Sequence, residues 1–351
     1  MTHSLTSLLG IAVPVLQAPM AGVQDHRLAV AVSRAGGLGA IPAAMLGPDA
    51  LRTELAAFRL ACPHAPLNVN FFCHTPPLPD PAAQARWLAA LRPYHEAWGI
   101  DPATLTLGPG RTPFNAATAD VLAEFRPEVV SFHFGLPAPE LLMRGRGWGA
   151  KVLSSATTVA EGEWLQAQGV DAVIAQGLEA GGHRGHFLSD DLTLHLGTLA
   201  LLPQLVQALQ VPVIAAGGVA TPQAVAAAQA LGAAGVQAGT AYLLCPEATT
   251  SAVHRAALQS PAVHHTALTR LFSGGPARGM INRLMRELGP MSDAAPAFPL
   301  ATAALVPLRA AAEAQGLADF SPLWAGQSAS ACRAEGAAAV TQWLASGWQG
   351  L

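Results

Sequence analysis

The segment VDAVIAQGLEAGGHRGH, residues 170–186, joins a short, largely apolar run to a polar loop that contains four glycines. Its first residues, Val170–Ala175, have the β-branched character of a buried parallel strand. In an α/β barrel, the loops at the carboxyl ends of the strands carry the active site. His183 is the one side chain in this loop whose charge changes near neutral pH without help. We therefore expect this loop to form the centre of an active site.

Strand-like segments of the same kind recur along the chain and are mostly separated by alanine- and leucine-rich stretches with helical periodicity. This alternation predicts a parallel sheet, and a total of eight strands predicts a closed (β/α)8 TIM barrel. The competing doubly wound sheet usually begins with a GxGxxG turn, which is absent after the first strand here. The predicted strands are Val13–Ala18, Gly39–Pro42, Leu67–Phe72, Val129–Phe134, Lys151–Ser155, Val170–Ala175, Val213–Ala216 and Gly235–Ala238.

The chain is longer than a minimal barrel. We predict a (β/α)8 barrel over residues 1–243 and a smaller, mainly helical region over residues 244–351 that forms a lid and returns to the barrel. A further helix is expected at Asp80–Leu91, within an insertion after the third strand.

Composition excludes several functional classes. The net charge is −3 and only 12% of residues are charged, so neither nucleic acid nor an anionic membrane is an expected partner. The four cysteines stand far apart, which argues against a disulfide framework or a zinc site, and no metal is expected. The N-terminal residues lack the pattern of a signal peptide, and the apolar stretch over residues 211–244 is broken by prolines, glycines and glutamines. These features predict a cytoplasmic protein.

Two turns of small residues follow the predicted seventh and eighth strands, at Gly217-Gly218 and at Gly239-Thr240. Loops at these places in such barrels frequently bind phosphate through backbone N–H groups and helix N-termini. A helix is expected at Gln223–Leu231, with Thr221 as its N-cap. Each turn alone could simply be a tight turn, but the matched pair favours a phosphate-bearing ligand, either a sugar phosphate or FMN.

A flavin also needs polar groups at its pyrimidine edge and small residues along its ring. Asn70 and Gln176, at the ends of two predicted strands, are placed to hydrogen-bond such an edge. An apolar surface for the flavin ring is expected after the first strand, at Pro19, Met20 and Ala21. For Asn70, capping of a turn is about an equal alternative.

Seven short strings stand out along the chain: QAPMAG at 17–22, GGLGAI at 36–41, NVNFFCH at 68–74, AQGLEAGGHRG at 175–185, AAGGV at 215–219, QAGT at 237–240 and LWAGQ at 323–327. In sequence and in order they resemble the nitronate monooxygenases, FMN-dependent enzymes formerly called 2-nitropropane dioxygenases, and in particular their bacterial class I. The resemblance covers nearly the whole chain, and its most specific part is the combination of NVNFFCH with AQGLEAGGHRG.

The resemblance implies a TIM barrel with a small helical second domain and non-covalently bound FMN. It also implies that His183 is the active-site histidine, and it favours a substrate-side role for His133 over that of a core histidine. With the residues argued above, the expected cofactor contacts are Pro19, Met20, Ala21, Asn70, Gln176, Gly181, Gly182, Gly217, Gly218, Gln237, Ala238, Gly239 and Thr240.

The implied reaction is oxidation of an alkyl nitronate, such as propionate 3-nitronate, by dioxygen to an aldehyde or oxo acid plus nitrite, without a reduced nicotinamide. His183 would stabilise the nitronate oxygens as a hydrogen-bond donor or in protonated form, or remove the α-proton of a neutral nitroalkane as a base. The protein would act as a monomer or homodimer.

Other polar side chains receive weaker assignments. Lys151 starts a strand and is expected to be structural, whereas Ser154, Ser155 and Thr157, at the other end of that strand, are better placed to touch a cofactor. Cys73 is expected to be a small apolar filler, and His186 and His195 to be ordinary polar positions. The segments 273–278 and 324–327 are candidates for closing over the cofactor.

Three rival interpretations stay open at this point. The nearest is an NAD(P)H-dependent flavin reductase, of the enoyl-thioester or quinone kind, on the same scaffold. A second is a barrel that binds a sugar phosphate and no flavin. A pure scaffold protein is the third, and it leaves the glycine-rich loops at the strand ends unexplained.

Overall fold

A computed structural model of the chain describes residues 4–106 and 110–350. It contains eleven strands and thirteen α-helices, joined by turns and short 3-10 helices. The strands are β1 (Val15–Gln17), β2 (Gly39–Pro42), β3 (Leu67–Phe72), β4 (Val129–His133), β5 (Lys151–Ala156), β6 (Ala172–Gln176), β7 (Gly182–His183), β8 (Val213–Ala216), β9 (Gly235–Ala238), β10 (Thr266–Thr269) and β11 (Ala277–Met280). The helices are α1 (Leu5–Leu9), α2 (His26–Arg34), α3 (Pro48–Ala61), α4 (Pro81–Ala97), α5 (Ala116–Phe125), α6 (Pro139–Gly147), α7 (Val159–Ala167), α8 (Thr198–Ala208), α9 (Pro222–Ala230), α10 (Ala252–Leu258), α11 (Arg283–Leu288), α12 (Thr302–Ala314) and α13 (Ala337–Ala345).

The larger sheet is a closed parallel barrel. Its eight strands follow the order β1-β9-β8-β6-β5-β4-β3-β2, and every neighbouring pair is parallel. Leu16 in β1 also forms a parallel bridge with Leu38 beside β2, which joins the two edges of the sheet. The prediction of a (β/α)8 barrel is confirmed, and each predicted barrel strand is found within two residues of its expected bounds.

Local sequence explains where the helices begin. Thr158 and Thr221 accept hydrogen bonds from backbone N–H groups in the first turns of α7 and α9, and Pro222 stands at the first position of α9. Asp80 caps α4 in the same way, with Pro81 next to it. This helix continues to Ala97, six residues beyond its expected end at Leu91.

Two apolar layers build the barrel. One fills its interior at the amino ends of the strands, where buried side chains such as Leu16, Leu153, Ile174 and Ile214 meet Leu5 of α1, which closes that end. The other, larger layer lies between the strands and the surrounding helices. The amino end is therefore packed with hydrocarbon, which leaves the carboxyl end for polar groups.

A second apolar core lies outside the barrel. Trp87 and Leu91 of α4 pack there against residues of α11 and α12, together with Phe320. In the other direction, Val340 and Leu344 of α13 are buried in the barrel's own outer layer. Apolar packing thus crosses residue 243 in both directions, and the division of the chain at that position stays a prediction.

The region after residue 243 was expected to be mainly helical, yet it also supplies β10 and β11. These strands form a three-stranded antiparallel sheet with β7, in which Ala277 pairs with His183 and Arg278 with Gly182. The sheet fixes the loop after β6 against the C-terminal part of the chain.

The part of the chain that the structure describes contains neither a candidate membrane-spanning helix nor a candidate metal-binding cluster. No helix there is long and apolar enough to cross a membrane. Nor do three or more His, Cys, Asp or Glu side chains come together there as a metal site.

Candidate active site

A cleft opens at the carboxyl ends of the barrel strands and holds about 1300 Å³ of space, including solvent at its mouth. The end residues of several strands line it, among them Asn70, His133 and Gln176. Of the expected cofactor and substrate positions, the cleft brings together His183, His133, Pro19, Met20, Ala21, Asn70, Gln176, Gly181, Gly182, Gly217, Gly218, Gln237, Gly239 and Thr240.

Ala238 is the exception. It is 1% exposed and packs in the apolar layer behind the sheet, because side chains alternate along a strand and those of its neighbours point the other way. Its side chain therefore faces away from the cleft, and its expected contact with a cofactor stays a prediction.

His183 is held on several sides. Its ring nitrogen Nε2 lies 2.8 Å from Ser273 Oγ. Its backbone carbonyl accepts hydrogen bonds from Gln176 Nε2 at 2.8 Å and from His133 Nε2 at 3.1 Å. Together with the pairing of His183 with Ala277, these contacts fix both the backbone and the ring.

Burial lowers the pKa values of the three histidines that line the cleft, His133, His183 and His254, and so favours their neutral forms. Burial lowers the pKa of His183 well below its usual value, and the nearby positive charge of Arg111 lowers it further. Burial likewise lowers the pKa of His133 to about 4. Of the roles considered for His183, the protonated form is thus disfavoured, and a neutral donor or a base remains.

Both ring nitrogens of His133 are engaged within the protein, Nε2 with the His183 carbonyl and Nδ1 with Ser155 Oγ at 2.8 Å. A substrate-side role for His133 stays a prediction, and the structure leaves only the carbon edge of its ring for such a contact.

Both polar atoms of the Gln176 side-chain amide form hydrogen bonds within the loop itself. Its Oε1 accepts from Gly185 N at 2.8 Å, while its Nε2 donates to the His183 carbonyl. Beneath the loop, the fully buried guanidinium of Arg184 donates to the carbonyl oxygens of Gln176 and Gly177 at 2.8 and 2.6 Å. The loop is thus preorganised by internal hydrogen bonds.

Aromatic rings surround the imidazole of His183, and two of them, Phe72 and Trp324, line the cleft. The ring centroid of Phe298 lies 5.2 Å from that of His183, and the ring of Trp324 lies 5.4 Å away. Phe72 and Phe134 follow at 6.1 and 6.3 Å. Rings at this spacing exclude water and strengthen electrostatic interactions inside the cleft.

Arg111 lies at this aromatic wall and was missed by the sequence analysis. Its guanidinium carbon lies 5.6 Å from the ring centroid of Phe72 and 5.7 Å from that of Phe298. Within the described ranges it is the only arginine or lysine that lines the cleft, and it makes no ion pair there. It follows no predicted strand, so nothing in the sequence pattern pointed to it.

The other end of the cleft is formed by backbone. Gly217 and Gly218 have φ angles of +113° and +74°, a region that side chains rarely adopt. A Cβ on Gly181 would lie 2.5 Å from Gly326 N, which itself donates to Thr240 Oγ1 at 2.9 Å. Helix α9 begins at Pro222, a few residues after the two glycines. Closely approachable N–H groups beside a helix N-terminus suit an anionic phosphate.

The carboxylate of Glu179 lines the same region and is already engaged. It accepts from the backbone N–H of Thr198, at the start of α8, at 2.8 Å, and lies 2.8 Å from that residue's hydroxyl. The hydroxyl is also 2.9 Å from the Gly217 carbonyl oxygen. The start of α8 stabilises the negative charge of Glu179. Through its contacts with Thr198, Glu179 joins two loops of the cleft.

Two unsatisfied polar atoms make the cleft fit a flavin nucleotide. The buried Gln237 Oε1 has no hydrogen-bond partner among the described residues. Asn70 uses only its amide nitrogen, on Ser131, so its Oδ1 is left for a ligand. Both atoms belong to residues that line the cleft, and Pro19, Met20 and Ala21 line it as well.

The weaker assignments differ in where their side chains lie. Ser155 lines the cleft, whereas the hydroxyl of Ser154 lies 2.9 Å from the Gly135 carbonyl oxygen and 3.2 Å from that of Phe132, and Thr157 is bound to Glu161. Neither Ser154 nor Thr157 lines the cleft, and their expected contact with a cofactor stays a prediction. Lys151 lies 3.6 Å from Asp171 at the amino end of β5, as expected for a structural residue.

The remaining positions fall as follows. Cys73 packs against the barrel's outer layer, and neither His186 nor His195 lines the cleft. The two candidate closing segments both reach the site: Ser273 contacts His183, while Trp324 and Gly326 line the cleft.

Comparison with known proteins gives a consistent result. The profile of the family described as nitronate monooxygenase matches residues 2–342. The nitronate monooxygenase of Pseudomonas aeruginosa is 41% identical over 95% of this chain and 95% of its own length. That of Paraburkholderia phytofirmans is also 41% identical, over 97% of this chain and 94% of its own.

Solved structures agree with the sequence relatives. A nitroalkane oxidase from Streptomyces ansochromogenes shares 37% identity and superposes with a TM-score of 0.87, covering 98% of this chain and 97% of that one. FabK from Thermotoga maritima shares 26% identity with a TM-score of 0.71, covering 98% and 95%.

Proposed function

The chain belongs to the nitronate monooxygenase family, and we propose that it uses FMN and dioxygen to oxidise alkyl nitronates, such as propionate 3-nitronate, to an aldehyde or oxo acid plus nitrite. The observation that carries the proposal is the pairing, in one cleft, of a neutral buried His183 with a glycine-lined anion site. The first feature suits substrate handling, and the second suits a nucleotide phosphate.

We propose that FMN lies across the carboxyl ends of the strands. The backbone N–H groups around Gly217, Gly218 and Thr240, with the N-terminus of α9, would hold its phosphate. Asn70 Oδ1 would accept from a ring N–H group, and Pro19–Ala21 would support the ring. When bound, the flavin supplies the electron acceptor for oxidation of the nitronate.

The protein's own residues would then orient and protect the substrate. Neutral His183 donates to a nitronate oxygen, or accepts the α-proton of a neutral nitroalkane, according to which ring nitrogen carries its proton. Arg111 supplies a positive charge beside the negatively charged nitronate. Phe72, Phe298 and Trp324 keep water from the reacting carbon.

The decisive experiment measures oxygen uptake by the purified protein with ethylnitronate and with propionate 3-nitronate. We expect turnover of both nitronates by the wild type and, with nitroethane as a third substrate, a strong loss in His183→Asn, which keeps a polar side chain but has no imidazole. His64→Asn, at an exposed histidine, is the matched control and should behave as wild type. A wild type that consumes no oxygen with either nitronate would refute the proposed function.

The rival NAD(P)H-dependent reductase predicts a different result. Mixed anaerobically with NADPH, such an enzyme bleaches its flavin absorbance rapidly. We expect the absorbance to persist here, and fast bleaching would overturn the monooxygenase assignment. A colourless protein that binds no FMN on reconstitution would instead favour the sugar-phosphate barrel.

A further inference from the structure

We propose that Ser273 is a positioning residue that fixes the tautomer of His183, with the ring proton on Nε2 and with Nδ1 left unprotonated. The inference rests on the proposed function only for the use made of Nδ1, because the tautomer itself is a property of the protein. Ser273 belongs to the C-terminal part of the chain, 90 residues after His183, and the small sheet brings the two together.

The hydrogen-bond geometry around Ser273 favours one direction for its contact with His183. The side chain is 1% exposed, and its Oγ lies 2.8 Å from His183 Nε2 and 3.4 Å from the carbonyl oxygen of Gly275. A hydroxyl group donates one proton, and a carbonyl oxygen can only accept. If Ser273 donates to Gly275, its oxygen must accept from His183, which places the proton on Nε2.

The opposite arrangement leaves a buried group unsatisfied. If the hydroxyl donated to Nε2, the carbonyl oxygen of the buried Gly275 would lose the one hydrogen-bond donor that the described residues give it. A buried carbonyl without a donor is costly. When His183 Nε2–H donates to Ser273 Oγ and Ser273 O–H donates to the Gly275 carbonyl oxygen, each of these polar groups has a hydrogen-bond partner.

The other ring nitrogen is free to act. His183 Nδ1 makes no hydrogen bond to any residue in the described ranges, and His183 lines the cleft. Because burial and the charge of Arg111 keep the imidazole neutral, the ring carries one proton, and its position decides which nitrogen is basic. With Nε2 protonated, the lone pair of Nδ1 is available to a ligand.

This arrangement gives His183 a defined step. Nδ1 takes the α-proton of a neutral nitroalkane, the carbon–hydrogen bond breaks, and its electron pair moves into the nitro group to give the nitronate. No oxidant is needed for this step. The imidazolium keeps its Nε2–H bond to Ser273, so the ring does not turn while it holds the proton. Ser273 therefore acts through His183 and touches no reacting atom.

The direct test is NMR of histidine-selectively ¹⁵N-labelled holoenzyme, with His183→Asn used to assign the His183 signals. We expect a protonated Nε2 and an unprotonated Nδ1 in the wild type and in Ser273→Thr, which retains a hydroxyl. In Ser273→Ala the single tautomer should give way to a mixture. A protonated Nδ1 in the wild type, or an unchanged spectrum in Ser273→Ala, would overturn the inference.

A kinetic comparison tests the use of Nδ1. Nitroethane requires removal of a proton, whereas preformed ethylnitronate does not. We expect Ser273→Ala to lower kcat/KM for nitroethane by about 10-fold or more and that for ethylnitronate by less than about threefold, since base catalysis contributes large factors. Ser346→Ala, at an exposed serine bonded to its own helix, is the control.

The outcomes separate the two proposals. An equal loss with both substrates would mean a merely structural role for Ser273, and a wild type that oxidises ethylnitronate but not nitroethane would refute the base role. If the wild type oxidises no nitronate at all, the proposed function fails, and the NMR spectrum still decides the tautomer.

Discussion

The ring nitrogen Nε2 of His133 lies 3.1 Å from the backbone carbonyl oxygen of His183. Because a carbonyl oxygen only accepts, His133 must donate through Nε2, and its Nδ1 must then accept the hydroxyl proton of Ser155. His133 thus has a fixed tautomer and supports the backbone of the loop that carries His183. Its own low pKa keeps this arrangement intact at neutral pH.

Replacing His133 with Leu should therefore impair catalysis without direct loss of a reacting group. One hydrogen bond is worth about 1 kcal/mol, and the bond from Gln176 remains, so we expect kcat/KM for ethylnitronate to fall by about fivefold. Oxygen-uptake kinetics measure the change, with His64→Leu as the exposed control. A variant indistinguishable from wild type would show that the loop needs no support from His133.

The glycine at 217 should be required for the cofactor. With φ at +113°, and with Ala180 N 3.0 Å from the position of an added Cβ, Gly217→Ala must shift the loop that would hold the phosphate. Gly10→Ala is the matched control, since its φ is +69° and its Cβ would meet nothing within 4 Å. Both variants should lose about 1 kcal/mol of stability from strain, but only Gly217→Ala should bind FMN more weakly.

Fluorescence titration of the apoprotein with FMN, beside thermal unfolding of both variants, checks this prediction. Equal FMN affinity in Gly217→Ala and Gly10→Ala would place the phosphate elsewhere.

Arg111 should set the acidic limb of the pH profile. Its charge helps to lower the pKa of His183, and a base works only in its neutral form, so activity should persist below pH 6.5 in the wild type. In Arg111→Met the pKa of His183 rises towards its usual value, and the limb should move to higher pH. The ratio of variant to wild-type kcat/KM with nitroethane removes the effect of the substrate's own ionisation. A ratio that does not change with pH would contradict the prediction.

Acid should destabilise the fold through its buried histidines. Burial lowers the pKa of His133 and of His254 to about 4 in the folded state, against 6.5 for the unperturbed group. The unfolded chain therefore binds more protons between these values, and stability is lost as pH falls from about 6.5 towards 4. For His133 the loss reaches about 3 kcal/mol at full extent.

Urea unfolding at a series of pH values measures this loss. His254→Gln, which removes one titrating group, should flatten the dependence on pH. An unchanged slope in that variant would show that His254 is not neutral in the folded protein.

The strands of the barrel were predictable because each is a short, buried apolar run with turn residues at both ends. The glycine loops were predictable for the same reason, since their residues stand directly after those runs. Ser154 and Ala238 do not line the cleft, although their neighbours Ser155 and Gln237 do, because the twofold alternation of a strand places neighbours on opposite faces. The sequence shows that a strand ends at two neighbouring residues, but it does not show which of the two side chains faces the cleft.

Contacts between distant segments were not predictable. Arg111 reaches the cleft from an irregular segment, and its charge matters only because Phe72 and Phe298 come together around it. The segment that contains Ser273 had the composition of a loop, and its bond to His183 depends on strand pairing across 90 residues. Such pairings are long-range contacts, which local propensity does not encode.

The pairing of β7 with β11 has a consequence for how the enzyme is made. A ribosome that has released the first 243 residues has supplied all eight strands of the barrel, but the His183 imidazole still lacks both its neighbouring strand and its hydroxyl partner. Synthesis of the barrel strands and completion of the cleft are thus separate events in biosynthesis, because the last third of the chain supplies β11 and Ser273, together with α13 for the barrel's outer layer.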